Sequence, residues 1–397
     1  MEQVGQGPAY EPNPPSAPCT PEYSASSDPM HGVGGGPELS IIVPTYNERD
    51  NVQELVGRLK QCLAGIEWEV IFVDDDSPDG TAEHARVLSR SDGRIRCIQR
   101  IGRRGLSSAC VEGMLASTAP YLAVIDADLQ HDEKLLPQML SVLKVDATEI
   151  VIGSRYVQGG GIGDWDTTRA TVSRFATRLS RFVVRAKLTD PMSGFFMLRR
   201  EVLNNSVRRL SAIGFKILLD LFASSPRPLC FKELPYQFRN RYKGESKLDS
   251  VAAWDYGMLL LDKLVGHIVP VRFVAFSIVG GLGVFVHLLV LSILFKLLKR
   301  PFVEGQAIAA GVAMTFNFAV NNLLTYRDLR LRGWKWIRGW ASFTVVCSIG
   351  AFANVGIASY LYQAQTQWVL AAFVGILIGA VWNYATTMVY TWNRPRK

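Results

Sequence analysis

The chain has 397 residues, of which 48% are hydrophobic and 20% are charged, so it is neither a disordered nor a fibrous protein. The formal net charge is +8, and the basic excess lies entirely in residues 270–397, which contain 12 Lys and Arg against 2 Asp and Glu. This distribution is typical of cations that flank membrane helices and argues against a nucleic-acid-binding face. The six cysteines form no C-x-x-C pair, which argues against a zinc site or a disulfide framework.

The first two thirds of the chain alternate between strand and helix patterns. Residues 1–37 are rich in Pro, Gly and Ser, and we expect a disordered tail there. Five apolar runs after this tail predict buried strands: 39–43, 70–73, 95–98, 121–125 and 150–152. Helical periodicity lies between the runs, so the fold class is α/β, with a mostly parallel sheet and helices on both faces, in a domain spanning 38–249.

Two segments have the pattern of helices that lie on a membrane surface. In residues 170–188 the basic positions fall on one helical stripe: Arg174, Arg178, Arg181 and Arg185. Apolar residues form a second stripe, a pattern that also fits an ordinary surface helix, and the presence of a membrane domain in the same chain favours an interfacial helix. Residues 250–269 are predicted to form a second, juxtamembrane interfacial helix.

The C-terminal third predicts a membrane domain over 270–393. Residues 273–295, 305–326 and 339–393 carry no Asp, Glu, Lys or Arg, and the last stretch is long enough for two helices, giving four transmembrane helices. The connection 327–338 has five basic residues and one acid, so we expect it, the C-terminus and the N-terminal domain to be cytoplasmic. Asparagines within the spans favour hydrogen bonds between helices over a lipid path, and the domain is expected to serve as an anchor or to support homo-oligomers.

Acidic motifs follow three of the predicted strands. The motifs are PTYNE at 44–48, DDDSPDG at 74–80 and DADLQH at 126–131. Ligands of open α/β sheets bind beyond the carboxyl ends of the strands, so we expect the three motifs to form one site. Asp126 and Asp128 are spaced to share a Mg²⁺ or Mn²⁺ ion, and Gln130 offers a further oxygen. His131 is predicted to be a supporting or structural residue rather than a ligand.

The ordered set of motifs resembles the family 2 glycosyltransferases, and among them the polyprenol-phosphate (dolichol-phosphate) mannose synthases. Besides the three acidic motifs, the resemblance rests on RGLSSA at 104–109, GSRYV at 153–157, DPMSGFF at 190–196, GFKIL at 214–218 and RYKGESKL at 241–248. The C-terminal third resembles the GtrA-like membrane domain, including FSIVG at 276–280.

The resemblance implies a GT-A-like fold and a role for each matching residue. The nucleotide would be held by Pro44, Tyr46, Glu48, Val73 and Asp75. The metal and diphosphate would be held by Asp126, Asp128 and Gln130, with Ala127 in the nucleotide-sugar site. Lys216, Arg241 and Lys247 would contact the donor phosphates. The acceptor phosphate would be bound by Arg155, Arg169 and Ser173, which with Asp128 make up the expected catalytic set.

The implied reaction is the inverting transfer of one hexose from a nucleotide sugar to a polyprenyl phosphate in the membrane. The motifs favour GDP-mannose as donor and a β-linked product, with UDP-glucose or a UDP-N-acetylhexosamine as alternative donors. A Q-x-x-R-W motif, typical of processive polysaccharide synthases, is missing from the sequence, which counts against that class. A lipid-sugar transport scaffold is a more distant alternative. Two departures from the family pattern are Asp220 and the pair Asp132–Glu133.

Overall fold

A computed structural model describes residues 36–161, 178–180, 183–184, 186–212, 214–239, 250–266, 268–365 and 367–392. Most of the predicted tail and of the predicted basic helix at 170–188 lies outside these residues. Arg178 is described, and it is exposed.

Seven strands form a single mixed sheet at the centre of the residues described within 36–239, which we call the catalytic half after its expected role. They are β1 (Leu39–Thr45), β2 (Trp68–Asp74), β3 (Ile95–Gln99), β4 (Tyr121–Val124), β5 (Ile150–Ser154), β6 (Phe196–Arg199) and β7 (Phe231–Pro235). Their order is β3-β2-β1-β4-β6-β5-β7, and only β6 runs antiparallel to its neighbours. The prediction of a mostly parallel sheet is confirmed, and each of the five predicted strands is present.

Helices cover both faces of this sheet. They are α1 (Arg49–Cys62), α2 (Thr81–Ser91), α3 (Leu106–Ala116), α4 (Leu136–Val145), α5 (Arg200–Ser206) and α6 (Ile217–Ser224), with short 3-10 turns at Glu133–Leu135 and Val207–Arg209. Successive residues of β1 point to opposite faces, so Ile41 and Val43 enter the core beneath α1 and α4, whereas Ile42 enters the core beneath α3 and α6. A strand buried on both faces explains the uninterrupted apolar run in the sequence.

Helix α7 (Ser250–Val265) joins the catalytic half to the apolar helices. Leu259 and Leu260 are buried in the core beneath α3 and α6. Met258 instead packs with Val271 and Ala275 at the start of the next helix. The helix therefore has one face on each half of the molecule, and its predicted location at the membrane surface stays a prediction.

Four helices in the C-terminal third are long and apolar enough to cross a membrane. They are α8 (Val271–Ser292), α9 (Phe302–Val320), α10 (Trp334–Gln363) and α11 (Trp368–Tyr390). Helix α8 continues as a π-helix at Ile293–Leu297, and α9 continues as a π-helix at Asn321–Thr325 and a 3-10 turn at Arg327–Leu329. The helices pack mainly as two hairpins, α8 with α9 and α10 with α11. We call this four-helix assembly the membrane unit.

Aromatic rings and amide groups hold the membrane unit together. Tyr326 and Trp392 are fully buried and stack with their ring centroids 4.1 Å apart. The indole of Trp392 donates to Asn322 Oδ1 at 3.2 Å, and the same oxygen accepts the amide of Leu331 at 2.8 Å. Within each hairpin an asparagine amide lies against a glycine of the facing helix, Asn317 against Gly283 and Asn383 against Gly350.

Candidate active site

The loops that follow β1 and β2 are joined into one surface by backbone amides of the first loop. These amides donate to side chains of the second loop: Asn47 to Ser77 at 3.0 Å, Glu48 to Thr81 at 3.0 Å and Arg49 to Asp79 at 3.2 Å. Asp74 at the end of β2 accepts from Thr45 Oγ1 at 3.1 Å and from the hydroxyl of Ser77 at 2.5 Å. The PTYNE and DDDSPDG motifs are thus joined by hydrogen bonds into one surface, as their positions at neighbouring strand ends predict.

Three of the six described non-glycine residues with positive φ lie in the three loops at this edge of the sheet. Asn47, Asp76 and Leu129 all have positive φ, at 58°, 57° and 62°. Each lies in the loop after β1, β2 or β4, where the acidic motifs are. Asparagine and aspartate tolerate this conformation more readily than leucine. Strained residues persist where the surrounding contacts over-determine the backbone, which is a feature of ligand sites.

Asp75 is buried and joins the second loop to the RGLSSA motif. Its carboxylate accepts from Arg100 Nη1 at 2.7 Å and from the amide of Gly105 at 2.7 Å, while Arg100 Nη2 donates to Ser108 at 2.6 Å. Burial raises the pKa of Asp75, and the hydrogen bonds from Gly105 and Arg100 oppose that rise. Asp75 therefore fixes the loop after β2 against the start of the RGLSSA motif in this structure. Its predicted contact with the nucleotide stays a prediction.

Tyr46 offers an aromatic surface at the mouth of the same region. The guanidinium of Arg104 lies over its ring, 4.4 Å from the centroid. Pro44 lies beneath, paired with Val73 of β2, beyond the last residue of β1 that pairs with β4. The missing amide of the proline therefore costs the sheet no hydrogen bond to β4.

Asp126 and Asp128 lie just after β4. The Asp126 side chain is 34% exposed, whereas Asp128 is buried and accepts the amide of Gln130 at 3.2 Å. Gly194 of the DPMSGFF motif lies against Asp126 so closely that a Cβ there would be 2.9 Å from Oδ2. The close approach of this backbone explains why the motif has glycine at that position.

His131 holds Asp126 from behind. Its Nε2 lies 3.1 Å from Asp126 Oδ2, and its Nδ1 lies 3.0 Å from the hydroxyl of Tyr236. The ring is buried beside Phe195 and Phe238, at centroid distances of 5.3 and 5.7 Å. The imidazole is therefore placed to orient a carboxylate, which is how outer partners fix metal ligands. Tyr236 was not singled out by the sequence, because it lies far along the chain from His131.

The turn after Asp128 is fixed by Arg239. The side chain of Gln130 donates to the carbonyl of Arg239 at 3.0 Å, and the amide of Arg239 donates back to the carbonyl of Gln130 at 2.9 Å. The guanidinium of Arg239 pairs with Asp132 at 2.6 Å and with Glu133 at 2.9 Å. The departure from the family pattern at Asp132–Glu133 thus has a structural role, since it provides the two partners of Arg239.

The side-chain oxygens that follow β4 suit a divalent cation such as Mg²⁺ or Mn²⁺, which can also bind the oxygens of a substrate. Asp126, Asp128 and Gln130 offer two carboxylates and an amide oxygen, which are the ligand types of Mg²⁺ and Mn²⁺. Among the described residues no group of three or more His, Cys, Asp or Glu side chains could hold a metal ion by itself. A bound ion would therefore need further oxygens, such as those of a diphosphate.

Arg155 forms a buried ion pair with Asp190. Its Nε and Nη2 donate to the two carboxylate oxygens at 2.7 and 2.8 Å, and Asp190 is fully buried. Burial lowers the pKa of the guanidinium, but the hydrogen bonds and charge of Asp190 raise it above its ordinary value. The sequence did not predict this partner. The expected contact of Arg155 with an acceptor phosphate stays a prediction.

Of the remaining predicted residues, two are described and four are not. Ala127, between Asp126 and Asp128 in the chain, is buried in the core. Lys216 is described, and its Nζ lies 3.5 Å from the carbonyl of Met192 in the DPMSGFF motif. This contact brings the GFKIL and DPMSGFF motifs together beside Asp126. The predicted residues Arg169, Ser173, Arg241 and Lys247 lie outside the described residues.

Comparison with known proteins assigns each half of the chain to a class. Residues 40–206 match the family Glycosyl transferase family 2, and residues 275–392 match the family GtrA/DPMS, transmembrane domain. The chain is therefore a membrane protein with a family 2 glycosyltransferase domain.

The relatives define the family more narrowly. The chain is 35% identical over 359 residues to the dolichol-phosphate mannosyltransferase of Pyrococcus furiosus, covering 89% of this chain and 99% of the relative. The chain thus belongs to the dolichol-phosphate mannosyltransferase family. The Saccharomyces cerevisiae protein of the same name is 38% identical over 231 residues, covering 55% of this chain and 84% of the relative.

A solved structure is also similar to part of the chain. Glucosyl-3-phosphoglycerate synthase from Mycobacterium tuberculosis, in complex with phosphoglyceric acid, matches with a TM-score of 0.44 and 17% sequence identity. The match covers 57% of this chain and 80% of that protein.

Proposed function

We propose that this protein transfers a single mannose from GDP-mannose to a dolichyl-type polyprenyl phosphate, giving a β-linked lipid-phosphate mannose. One observation carries the proposal. The similarity to a dolichol-phosphate mannosyltransferase extends over 99% of that relative, so it includes the membrane helices as well as the catalytic half. Such a reaction needs carboxylates at the strand ends, a fixed arginine such as Arg155 in its pair with Asp190, and apolar helices in the membrane.

The donor would bind at the edge formed by the loops after β1, β2 and β4. Tyr46 and Arg104 offer a platform for the base, and Asp126, Asp128 and Gln130 would hold a Mg²⁺ or Mn²⁺ ion. When bound, the ion would supply positive charge to the diphosphate that leaves. His131 and Gly194 keep the Asp126 carboxylate in place, and Lys216 adds a cation beside them.

The acceptor phosphate is itself the nucleophile. A phosphate monoester is already anionic near neutral pH, so the site needs no strong general base. It needs cations that bring two anions together, and Arg155 with Arg169 would serve the acceptor, beside Ser173. Asp190 fixes the orientation of the Arg155 guanidinium through two hydrogen bonds. Direct attack on the sugar carbon would invert its configuration.

Two other nucleotide sugars are alternatives to GDP-mannose as the sugar donor. The GESK and DPMSG segments of the sequence favour GDP-mannose, and UDP-glucose or a UDP-N-acetylhexosamine would use the same phosphate and metal contacts. Base and sugar selectivity depend on the shape of the pocket, which the phosphate contacts do not determine.

The membrane arrangement belongs to the same proposal. Four transmembrane crossings would place residues 38–249 and the basic connection 327–338 on one side, and the five basic residues of that connection favour the cytoplasm. The catalytic edge would then face the lipid head groups from the cytoplasmic side. Homo-oligomers would form through the membrane unit.

The test uses the full chain purified in detergent with a C55-type polyprenyl phosphate and Mn²⁺. Labelled GDP-mannose and UDP-glucose are offered in parallel, and the lipid phase is extracted. We expect label from GDP-mannose alone, and its loss on chelation of the metal. Asp126→Asn and Asp128→Asn should each lower transfer at least about 100-fold, because each removes a charged oxygen ligand.

The matched control is Asp146→Asn, which removes a carboxylate from a solvent-exposed pair with Lys232. It should leave transfer unchanged. Label from UDP-glucose alone would keep the reaction class and overturn the donor. Full activity in both Asp126 and Asp128 variants would overturn the metal assignment, and no lipid label from any donor would favour the scaffold alternative.

A further inference from the structure

Helix α7 is fastened to the catalytic half by charged groups. Lys263 pairs with the buried carboxylate of Asp220 at 2.6 Å and donates to Ser224 at 2.8 Å. Ser211 donates to Asp262 of the same helix. Asp220 also accepts the amides of Ser211 and Ala212, at 3.3 and 2.9 Å. Asp220, which departs from the family pattern, therefore binds α7 to the catalytic half through Lys263.

The membrane unit contacts α7 through a second ion pair. Arg327 Nη2 lies 3.0 Å from Asp255 Oδ2, and the Asp255 side chain is 13% exposed. A carboxylate so nearly buried needs a positive partner, because an unpaired charge there is costly. Arg327 directly follows Tyr326, which stacks on Trp392 inside the membrane unit. The position of this guanidinium is thus set by the packing of the membrane helices.

Asp255 lies directly against the GFKIL loop. A Cβ on Gly214 would be 3.1 Å from the Cβ of Asp255, and Gly214 has a φ of +70°, so the position favours glycine on both counts. The carbonyl of Gly214 accepts the amide of Ser107 at 3.1 Å. Lys216 follows two residues later and contacts the carbonyl of Met192. Contacts therefore run without a gap from Arg327 through Asp255 to the loop that bears Lys216.

We propose that Arg327 and Asp255 are a positioning pair through which the membrane unit holds the Gly214–Lys216 loop in its donor-binding conformation. The proposal rests on the proposed function, in which Lys216 contacts the donor phosphates. It goes beyond that function because it gives the membrane unit a part in donor binding. The pair acts through the loop and does not touch the reacting atoms.

The anchoring of α7 argues that the pair has a role beyond fastening the helix. Lys263, Asp262 and the apolar residues Leu259 and Leu260 already fix α7 on the catalytic half. The Arg327–Asp255 pair adds a link to the membrane unit at the turn of α7 that lies against Gly214. Loss of the pair should therefore disturb the loop without detaching the helix.

The experiment measures steady-state transfer by the full chain in lipid nanodiscs, with the donor varied at saturating polyprenyl phosphate. Arg327→Gln and Asp255→Asn should each raise the donor KM about 5- to 10-fold, with kcat and the lipid KM changing less than about 2-fold. The exchanged pair Arg327→Glu with Asp255→Arg should recover most of the loss. Arg330→Gln, which removes an exposed cation from the same connection, is the matched control and should be neutral.

Three results would overturn the proposal: an unchanged donor KM in both variants, an equal effect in Arg330→Gln, or an effect confined to the lipid KM. If the wild-type protein transfers no sugar from any donor, the proposed function fails separately. Amide hydrogen exchange of residues 214–220 then tests the link without turnover. Faster exchange in Arg327→Gln than in Arg330→Gln would support it, and equal exchange would overturn it.

Discussion

The two halves of this protein hold their buried polar groups by different means. In the catalytic half, charged groups near the site pair with one another or accept backbone amides, as Arg155 does with Asp190 and Asp75 does with Arg100 and Gly105. In the membrane unit, stacked aromatic rings and amide hydrogen bonds hold the buried polar groups instead, as in the Tyr326–Trp392 stack and the hydrogen bonds of Asn322.

This difference follows from what each half does and from its solvent. The proposed site would bind a diphosphate and a lipid phosphate, which requires fixed cations and carboxylates, and each buried charge there has an opposite charge or a backbone amide as its partner. In a bilayer core charged side chains are expensive, so close packing at small residues and amide hydrogen bonds replace ion pairs. Substitutions that remove a partner in each half put this comparison to the test.

The largest effect is expected at Asp190. Asp190→Asn leaves the Arg155 guanidinium buried without its carboxylate, so we expect a loss of ~3–5 kcal/mol in the free energy of unfolding of the catalytic half. Urea denaturation of the full chain in detergent, followed by a probe in the sheet, measures it. Asp146→Asn, in an exposed pair with Lys232, should cost less than about 1 kcal/mol. Equal losses in the two variants would contradict the role of burial.

A substitution at His131 tests the orientation of Asp126, the proposed metal ligand, rather than the stability of the fold. His131→Ala removes the group that holds Asp126, so transfer should fall about 10- to 100-fold and the concentration of Mn²⁺ for half-maximal activity should rise. Activity is measured across a Mn²⁺ titration. A loss of activity with an unchanged Mn²⁺ requirement would show that His131 does not act through Asp126.

Gly283 provides the corresponding test in the membrane unit, where it packs against Asn317. A methyl group there would clash with the Asn317 amide, so Gly283→Ala should lower the stability of the membrane unit by ~1–3 kcal/mol. The thermal midpoint in detergent is the measurement. Gly281→Ala meets no atom within 4 Å and is the control. The double variant with Asn317→Ala should recover part of the loss, and no recovery would place the clash elsewhere.

The smallest effect is a pH dependence at Asp79. Burial raises the pKa of this carboxyl, but hydrogen bonds from Thr81 and Arg49 outweigh it and hold the pKa below the ordinary 3.8. The carboxylate therefore stabilises the fold above that ordinary value, and this contribution is lost as the pH falls through the lowered pKa. Asp79→Asn should cost about 1 kcal/mol at pH 7 and less at pH 3. An equal cost at both pH values would contradict the assignment.

The sequence predicted the parts of the fold and site that depend on local pattern. Runs such as 39–43 correctly predicted strands, and acids at strand ends correctly predicted that Asp75 and Asp126 lie at the same edge of the sheet. Strands β6 and β7 were missed. β7 lies at the edge of the sheet with mostly partial burial, so it lacks the buried run that marks a central strand. β6 is a buried interior strand that is no shorter than β4, and its residues were assigned to the DPMSGFF motif instead of to a strand.

The partners of the site residues could not be predicted in the same way. Asp190 pairs with Arg155 and Tyr236 contacts His131 across long stretches of chain. No spacing or periodicity encodes such contacts, because they depend on how β5, β6 and β7 are arranged. The order of those strands, with one of them antiparallel, is set by tertiary packing.

The two hairpins of the membrane unit have a further relation. One interval separates Phe276 from Phe343 and Gly283 from Gly350, and a second separates Phe318 from Tyr384, Asn317 from Asn383 and Tyr326 from Trp392. The contacts correspond as well, because each hairpin has its asparagine on its glycine. Phe276 meets Tyr384 at 5.8 Å, and Phe343 meets Phe318 at 5.6 Å.

Tyr326 and Trp392 are therefore equivalent residues of the two hairpins, and their stacked rings join the equivalent ends of both. Arg327 directly follows the first of these rings, so it lies where the two hairpins meet.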